Sequence, residues 1–235
     1  MRAFILAAGL GTRLKPLTDT KPKALVKVNG TPLLEHQIRR LKNAGITDIV
    51  VNVHHFADMI EEFLNRNDNF GCRIRISDER DLLRETGGAI RHASPLLAGS
   101  DDRMVLVHNV DIITELDFNS IKKDASATAT LVVSERATNR YLLFDEEMRL
   151  RGWTNTATGE VRIPDKSTDP GKLRKYAYSG IQIISTDILP LMAEWPEKFS
   201  IMDFYLDICS GKIIRGYNAG TTPIKDVGKI ADILE

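Results

Sequence analysis

Apolar and polar residues are arranged along the first half of the chain as strands and helices in alternation. Ala3 to Ala8 is an almost unbroken apolar run, typical of a strand buried on both faces of a parallel sheet. Further segments follow in the order helix, strand, helix, strand, helix, strand: a helix that begins at Thr31-Pro32, Asp48 to Val53, a helix around Phe56 to Leu64, Arg73 to Ser77, a helix that opens at Gly87, and Met104 to Val107. For the first helix, the sequence predicts the Thr31 hydroxyl as N-cap and Pro32 as first helical residue.

The second half has a different pattern. From about Ala127, short strand-like pieces are joined by polar turns, which predicts antiparallel additions to the sheet. Later elements are expected as a strand at Lys175 to Ser185, a helix at Ser200 to Cys209, a strand at Ile213 to Tyr217 and a helix near Gly228 to Leu234. The whole predicts one α/β domain over residues 1–235, with a Rossmann-like, doubly wound, mostly parallel sheet.

Composition narrows the classes of function. The 32 Lys and Arg residues balance the 32 Asp and Glu residues, so a nucleic acid partner is not expected. No signal segment and no apolar run of about 20 residues is present, which predicts no membrane partner. Cys72 and Cys209 lack metal or redox spacing and favour a reducing, cytoplasmic compartment. The pattern leaves the oligomeric state open.

Positive charge is nevertheless concentrated in the first 30 residues. Between Met1 and Gly30 stand six Lys or Arg residues and one acid, Asp19, which predicts a local anion site. Within this segment Gly9, Gly11 and Thr12 can turn the chain and direct backbone N–H groups at a phosphate. Two familiar glycine loops do not match: a dinucleotide fingerprint requires glycine where Leu14 stands, and the P-loop pattern is absent.

The loop instead resembles the signature of the sugar-1-phosphate nucleotidyltransferases. LAAGLGTRLKPLT at Leu6 to Thr18 and PKAL at Pro22 to Leu25 carry the resemblance. It implies a nucleotide-diphospho-sugar transferase fold and a Mg2+-dependent reaction of a nucleoside triphosphate with a sugar 1-phosphate, giving a nucleotide sugar and pyrophosphate. A hexapeptide β-helix tail, present in some larger relatives, is not found. The resemblance implies nucleotide contacts from Leu6, Ala7, Ala8, Gly9, Gly11 and Thr12, with Arg13 and Lys23 as catalytic residues.

Two aspartates match the positions of the family's metal ligands. Asp111 follows a buried strand in His108-Asn109-Val110-Asp111, where the family usually has Asn-Gly-Asp and this chain has Val110. Asp226 lies in a segment resembling aromatic-x-Asp-Val-Gly, from which Lys225 departs. The resemblance implies that both carboxylates hold Mg2+. A helix or turn cap for Asp111 and a helix N-cap for Asp226 remain the alternatives.

Two further stretches are implied to bind the base and the sugar. Glu85, Thr86, Gly87 and Gly88 resemble the base pocket of N-acetylmuramate-1-phosphate uridylyltransferases more than that of mannose-1-phosphate guanylyltransferases, and the missing glycine side chains are expected to let the base lie flat. Asn109, Ser179 and Gly180 are implied to contact the sugar, since a glycine inside a strand suggests a close backbone approach. Asn155 to Lys172 is expected to be a solvated loop, with a lid as the alternative.

Other functions remain open from the sequence. Phosphocholine cytidylyltransferases share the LAAGLGTRL stretch at Leu6 to Leu14 and PKAL at Pro22 to Leu25. A non-catalytic nucleotide-sugar-binding regulator would retain the same pocket. A nicotinamide dehydrogenase is the weakest alternative, because the third fingerprint glycine is absent. The sequence does not determine the substrates. The candidate nucleotides are UTP and GTP, and the candidate sugars are N-acetylmuramate, mannose, a heptose and glucose.

Overall fold

A computed structural model describes residues 1–99, 103–121 and 126–232 of the protein. Its strands and helices follow in chain order as β1 (Arg2–Leu6), β2 (Lys27–Val28), β3 (Thr31–Pro32), α1 (Leu33–Asn43), β4 (Asp48–Val53), α2 (Ala57–Arg66), β5 (Arg73–Asp78), α3 (Glu85–His92), α4 (Ser94–Leu97), β6 (Met104–Asn109), β7 (Ile112–Thr114), β8 (Ala129–Ser134), β9 (Arg140–Phe144), β10 (Leu150–Asn155), β11 (Glu160–Arg162), β12 (Arg174–Ser185), α5 (Ile201–Ile208), β13 (Ile214–Asn218) and β14 (Ile224–Asp226). None of the helices in these ranges is long and apolar enough to cross a membrane.

A central sheet joins the two halves of the chain. Its main order is β11-β10-β9-β12-β6-β1-β4-β5, and β8 joins β12 to β13. The four strands β6, β1, β4 and β5 are mutually parallel. By contrast, β12 runs antiparallel to β6, β8 and β9, and the β9–β10–β11 meander is antiparallel. The α/β sheet with a parallel half and antiparallel additions follows the expectation from the sequence.

Helices cover both faces of the parallel half, which explains why β1 shows no alternation. Ala3 and Ile5 pack with α1 and α2 on one face, whereas Phe4 packs with α3 and α5 on the other. All three side chains are completely buried. A strand enclosed in this way requires apolar residues at every position.

The start of the first helix was predicted wrongly. Thr31 and Pro32 form β3, which pairs with β2, and α1 begins one residue later at Leu33 without a side-chain cap. The reason is the turn between the two strands, where Asn29 and Gly30 have φ of 51° and 81°. Asn-Gly is the preferred pair for a tight hairpin, so the hairpin rather than a helix cap determines the conformation here.

Two other boundaries differ. Helix α3 opens at Glu85, two residues before the predicted Gly87. At the C-terminus the structure has β14, which the sequence did not predict, and a short 3-10 helix at Ile230–Asp232; the end of the helix predicted up to Leu234 lies outside the described residues. The remaining predicted strands and helices are present with ends shifted by no more than a few residues, and Asp48–Val53 agrees at both ends.

Candidate active site

A cleft of about 260 Å³ lies where the parallel strands β6, β1, β4 and β5 end. The carboxyl ends of neighbouring parallel strands share one edge of the sheet, so residues distant in sequence meet there. The structure brings eight predicted site residues into this cleft and adds four others. The predicted ones are Leu6, Ala8, Gly9, Lys23, Glu85, Thr86, Asn109 and Asp111; the added ones are Asn52, Glu79, Leu83 and Val110.

The turn after β1, residues 7–13, is called the phosphate turn below. Gly11 has φ of 64°, and a Cβ there would lie 2.8 Å from Thr18 Cγ2, so the turn requires glycine at this position. The Thr18 hydroxyl donates to the Gly11 carbonyl at 2.9 Å and holds the turn closed. Within the described residues, the N–H groups of residues 9–13 donate to no protein acceptor. Such a run of free N–H groups suits an anion.

Asn52 and Glu79 support the phosphate turn through buried hydrogen bonds, and neither residue was predicted from the sequence. Asn52 Oδ1 accepts hydrogen bonds from the N–H groups of Ala7 at 2.6 Å and Ala8 at 3.1 Å. Asn52 Nδ2 donates to Glu79 Oε1 at 2.8 Å. Burial raises the pKa of the Glu79 carboxyl, despite its hydrogen bonds from Asn52 and the Arg84 N–H. The available signal was an asparagine inside the apolar strand β4, where a polar group needs a specific partner.

Asp111 forms an ion pair with Lys23 at the edge of the cleft. Their side chains are 12% and 13% exposed. The segment that carries Asp111 is fixed by Gln37, whose Nε2 donates to the Ile112 carbonyl at 2.6 Å and to the Val110 carbonyl at 3.3 Å. Val110 is 2% exposed and packs in the core. The departure from the family's glycine therefore leaves the Asp111 carboxylate at the cleft.

The structure brings Arg13 and Asp226 together at Gly228. A Cβ on Gly228 would lie 2.7 Å from both Arg13 Nη2 and Asp226 Oδ1, so the two charged groups occupy the space above this glycine. Asp226 on β14 pairs with Ile112, and the Val227 N–H donates to the Asp111 carbonyl at 2.9 Å. Both predicted metal ligands thus stand on adjoining backbone segments, although the chain separates them by more than a hundred residues.

These residues fit a magnesium ion only in combination with substrate. No group of three His, Cys, Asp or Glu side chains suitable for a metal occurs in the described residues. Mg2+ beside phosphates is bound by one or two carboxylates, and phosphate oxygens and water complete its octahedron. Asp111 and Asp226 supply such carboxylates on neighbouring segments. Asp111 lines the same cleft as Ala8 and Gly9 of the phosphate turn, and Asp226 lies beside Arg13 at the end of that turn.

The Glu85 to Gly88 stretch divides between cleft and core. Glu85 and Thr86 line the cleft, whereas Gly87 and Gly88 are buried and donate their N–H groups to the Phe199 carbonyl at 2.9 and 3.2 Å. A Cβ would lie 2.3 Å from the Phe199 ring at Gly87 and 2.2 Å from the Glu197 carbonyl oxygen at Gly88. The expected reason for these glycines, room for a flat base, is therefore wrong: they make room for the segment 197–199. A nucleotide contact from their backbone stays a prediction.

Of the three predicted sugar-binding residues, Asn109 lines the cleft. Gly180 has φ of 74° at an irregularity of β12, and its close approach is to Asn109: a Cβ would lie 2.9 Å from Asn109 Nδ2. Ser179 is buried and its hydroxyl has no hydrogen-bond partner. The Asn155 to Lys172 segment contains β11, and Arg162 pairs with Asp203 of α5 at 2.7 Å. The sugar contacts and the lid stay predictions.

Comparison with known proteins identifies the family. The family model described as nucleotidyl transferase matches residues 2–235. The chain belongs to the nucleotidyltransferase family. An N-acetylmuramate alpha-1-phosphate uridylyltransferase of Caulobacter vibrioides is 50% identical over 212 residues, which cover 86% of this chain and 82% of that protein. The sugar-1-phosphate nucleotidyltransferase branch inferred from Leu6 to Thr18 and Pro22 to Leu25 is thereby confirmed.

The chain also resembles other nucleotidyltransferases at lower sequence identity. A mannose-1-phosphate guanyltransferase of Gibberella zeae is 37% identical over 139 residues, 57% of this chain and 38% of that protein. Among solved structures, HddC from Yersinia pseudotuberculosis complexed with GMP-PN gives a TM-score of 0.75 at 22% identity, covering 99% of this chain and 96% of the other. The inositol-1-phosphate CTP transferase from T. maritima gives 0.76 at 17% identity, with coverage of 98% and 90%. These structures establish the fold of this nucleotidyltransferase.

Proposed function

We propose that this nucleotidyltransferase transfers a nucleotidyl group from a nucleoside triphosphate to a sugar 1-phosphate in a Mg2+-dependent reaction that releases pyrophosphate. The observation that carries the proposal is the convergence of Arg13, Lys23, Asp111 and Asp226 beside the free N–H groups of the phosphate turn. UTP with N-acetylmuramate 1-phosphate is the preferred substrate pair, on the strength of the Caulobacter relative. GTP with mannose or heptose 1-phosphate is the second candidate, favoured by the partial match to mannose-1-phosphate guanyltransferases.

In this proposal a phosphate oxygen of the sugar 1-phosphate attacks the α-phosphorus in line, the bond to the β-phosphate oxygen breaks, and pyrophosphate leaves. Since the attacking oxygen is already anionic, the protein needs no nucleophile of its own. It contributes position and charge neutralisation, which together supply most of the catalysis in phosphoryl-type transfers.

Each group at the site then has a role. The N–H groups of residues 9–13 bind the triphosphate, and the Arg13 guanidinium neutralises charge that grows on the pyrophosphate. Lys23 holds the sugar phosphate against the α-phosphate, while Asp111 and Asp226 hold Mg2+. When bound, the ion supplies charge neutralisation between the phosphates. Lys23 and Asp111 neutralise each other in the free protein, so neither charge is left unpaired in a partly buried place.

The test is pyrophosphate release with Mg2+, measured for UTP, GTP, CTP, ATP and dTTP against a panel of sugar 1-phosphates and choline phosphate. Release with UTP and N-acetylmuramate 1-phosphate is the expected result. Release with choline phosphate instead would support the cytidylyltransferase alternative. Nucleotide-sugar binding without release from any pair, in folded protein, would support the non-catalytic regulator and refute the proposal. The cytoplasmic location remains a prediction, tested by cell fractionation.

A further inference from the structure

A continuous chain of buried hydrogen bonds, which we call the brace, joins the two walls of the cleft. It runs from the N–H groups of Ala7 and Ala8 to Asn52, from Asn52 to Glu79, and from Glu79 Oε2 to the Arg84 N–H at 3.3 Å. Asn52 is 2% exposed and Glu79 is completely buried. One end of the brace is the phosphate turn, and the other is the residue just before Glu85 and Thr86 at the start of α3.

The chemistry of the partners determines the direction of every bond in the brace. The N–H groups of Ala7 and Ala8 can only donate, so the Asn52 oxygen faces them and its amide nitrogen faces Glu79. The Arg84 N–H also can only donate. Both Glu79 oxygens therefore accept hydrogen bonds, as those of an ionised carboxylate do.

The backbone around Glu79 is equally fixed. Its N–H donates to the Val53 carbonyl at 2.8 Å, and its own carbonyl is 2.6 Å from His54 Nδ1. Glu79 thus stands rigidly at the ends of β4 and β5, between the part of the cleft that suits phosphates and the part lined by Glu85 and Thr86. Through Asn52 and the Arg84 N–H, this carboxylate is linked to both walls of the cleft.

We propose that Asn52 and Glu79 are positioning residues, which hold the phosphate turn and the start of α3 at the separation that the nucleoside triphosphate needs. The inference rests on the proposed function and deepens it. Neither side chain is required to touch the reacting atoms. Their contribution is preorganisation: an N–H group displaced by about 1 Å from a transferring phosphate can lower the rate a hundredfold.

The brace can be broken at either residue with little change in shape. Asn52→Asp keeps the acceptor for Ala7 and Ala8 but sets a second carboxylate against Glu79. Glu79→Gln presents an amide nitrogen to either Asn52 Nδ2 or the Arg84 N–H, so one donor faces another. We expect each single variant to lower kcat/KM for the triphosphate by about tenfold or more, while KM for the sugar 1-phosphate stays within about twofold.

The double variant Asn52→Asp/Glu79→Gln restores the brace with one bond reversed. The new glutamine amide donates to the new carboxylate, its oxygen accepts from the Arg84 N–H, and the aspartate still accepts from Ala7 and Ala8. The net charge is that of the wild type. We expect kcat/KM to return to within about threefold of the wild type, a coupling that independent sites do not show.

Gln182→Met is the matched control. Gln182 lies on β12, outside the cleft, and is 1% exposed. Its side-chain oxygen accepts a buried hydrogen bond from the Tyr205 hydroxyl at 2.8 Å. This variant should lower the thermal midpoint without changing kcat/KM. The control therefore distinguishes the effect of losing any buried hydrogen bond from the specific effect of losing the brace on kcat/KM.

The outcomes are distinct. Wild-type protein that releases no pyrophosphate refutes the proposed function itself. If the wild type is active and the single variants have the same kcat/KM as the wild type, the positioning role of Asn52 and Glu79 is refuted. A double variant no better than the worse single variant also refutes it, and would indicate that the Glu79 carboxylate contacts substrate directly. If Asn52→Asp does not fold, Glu79→Gln is compared with the double variant. The proposal then requires that the double variant has a higher kcat/KM for the triphosphate than Glu79→Gln.

Discussion

Gly228→Ala is a perturbation that adds one methyl group and changes no charge. Its Cβ would lie 2.7 Å from Arg13 Nη2 and 2.7 Å from Asp226 Oδ1, whereas ordinary contacts begin at 3.4 Å. Each charged group must therefore retreat by more than half an ångström. Because a displacement of about 1 Å at a reacting centre can cost a hundredfold in rate, we expect kcat to fall between about tenfold and a hundredfold.

The fold should tolerate the same change. The φ of Gly228 is not in the left-handed region, and the atoms that must move are at the ends of side chains. We expect the free energy of unfolding to change by less than about 1 kcal/mol. Gly211→Ala is the matched control, because nothing lies within 4 Å of its Cβ, and both kcat and stability should stay at the wild-type values.

Pyrophosphate release under saturating substrates measures kcat, and urea unfolding measures stability in the same preparations. Combining Gly228→Ala with Arg13→Ala provides an internal test: once the guanidinium is gone, the methyl group should cost less than it does in the wild type. A folded Gly228→Ala protein with wild-type kcat would refute the reasoning, since it would show that the positions of Arg13 and Asp226 do not matter to the reaction.

Three further predictions address the metal site, the α3 packing and a buried histidine. Asp111→Asn should lower kcat by about a hundredfold with the fold retained, because it removes a metal carboxylate and the partner of Lys23. Gly88→Ala should destabilise the protein by about 1 to 3 kcal/mol in urea unfolding, because its Cβ would lie 2.2 Å from a backbone oxygen. Burial lowers the pKa of His108 from 6.5 to about 4. As the pH falls through this interval, the unfolded chain takes up the proton first, so the free energy of unfolding should decline by about 3 kcal/mol.

Each of these has its own contrary result, and the first and third also have a control variant. Asp145→Asn breaks a partly buried ion pair with Arg151 outside the cleft and should leave kcat unchanged. Full activity in folded Asp111→Asn would remove the metal assignment. A Gly88→Ala protein as stable as the wild type would show that the segment 197–199 can move away from the new methyl group at little cost in the free energy of unfolding. His108→Gln should remove the decline in stability between pH 6.5 and 4, and a decline of the same size in that variant would assign it to other groups.

Contiguous features could be read from the sequence. The apolar run of β1, the Gly11 turn and the cations Arg13 and Lys23 lie in one short stretch, where the backbone alone brings them near each other. The position of Asp111 just past β6 was predictable for the same reason. Local patterns also gave the parallel half of the sheet, since a buried strand and an amphipathic helix each have a characteristic period.

The tertiary structure decided what meets across the sheet. Asn52 reaches Ala7 and Ala8 only because β4 lies beside β1 in one register, and a shift of one residue would turn its side chain to the other face. Gly228 approaches Arg13 because β14 pairs with β7. Sequence periodicity gives the face of an element but not its neighbour or its register. The sequence thus determined the kinds of chemical group at this site, and the packing of distant strands determined which groups support them.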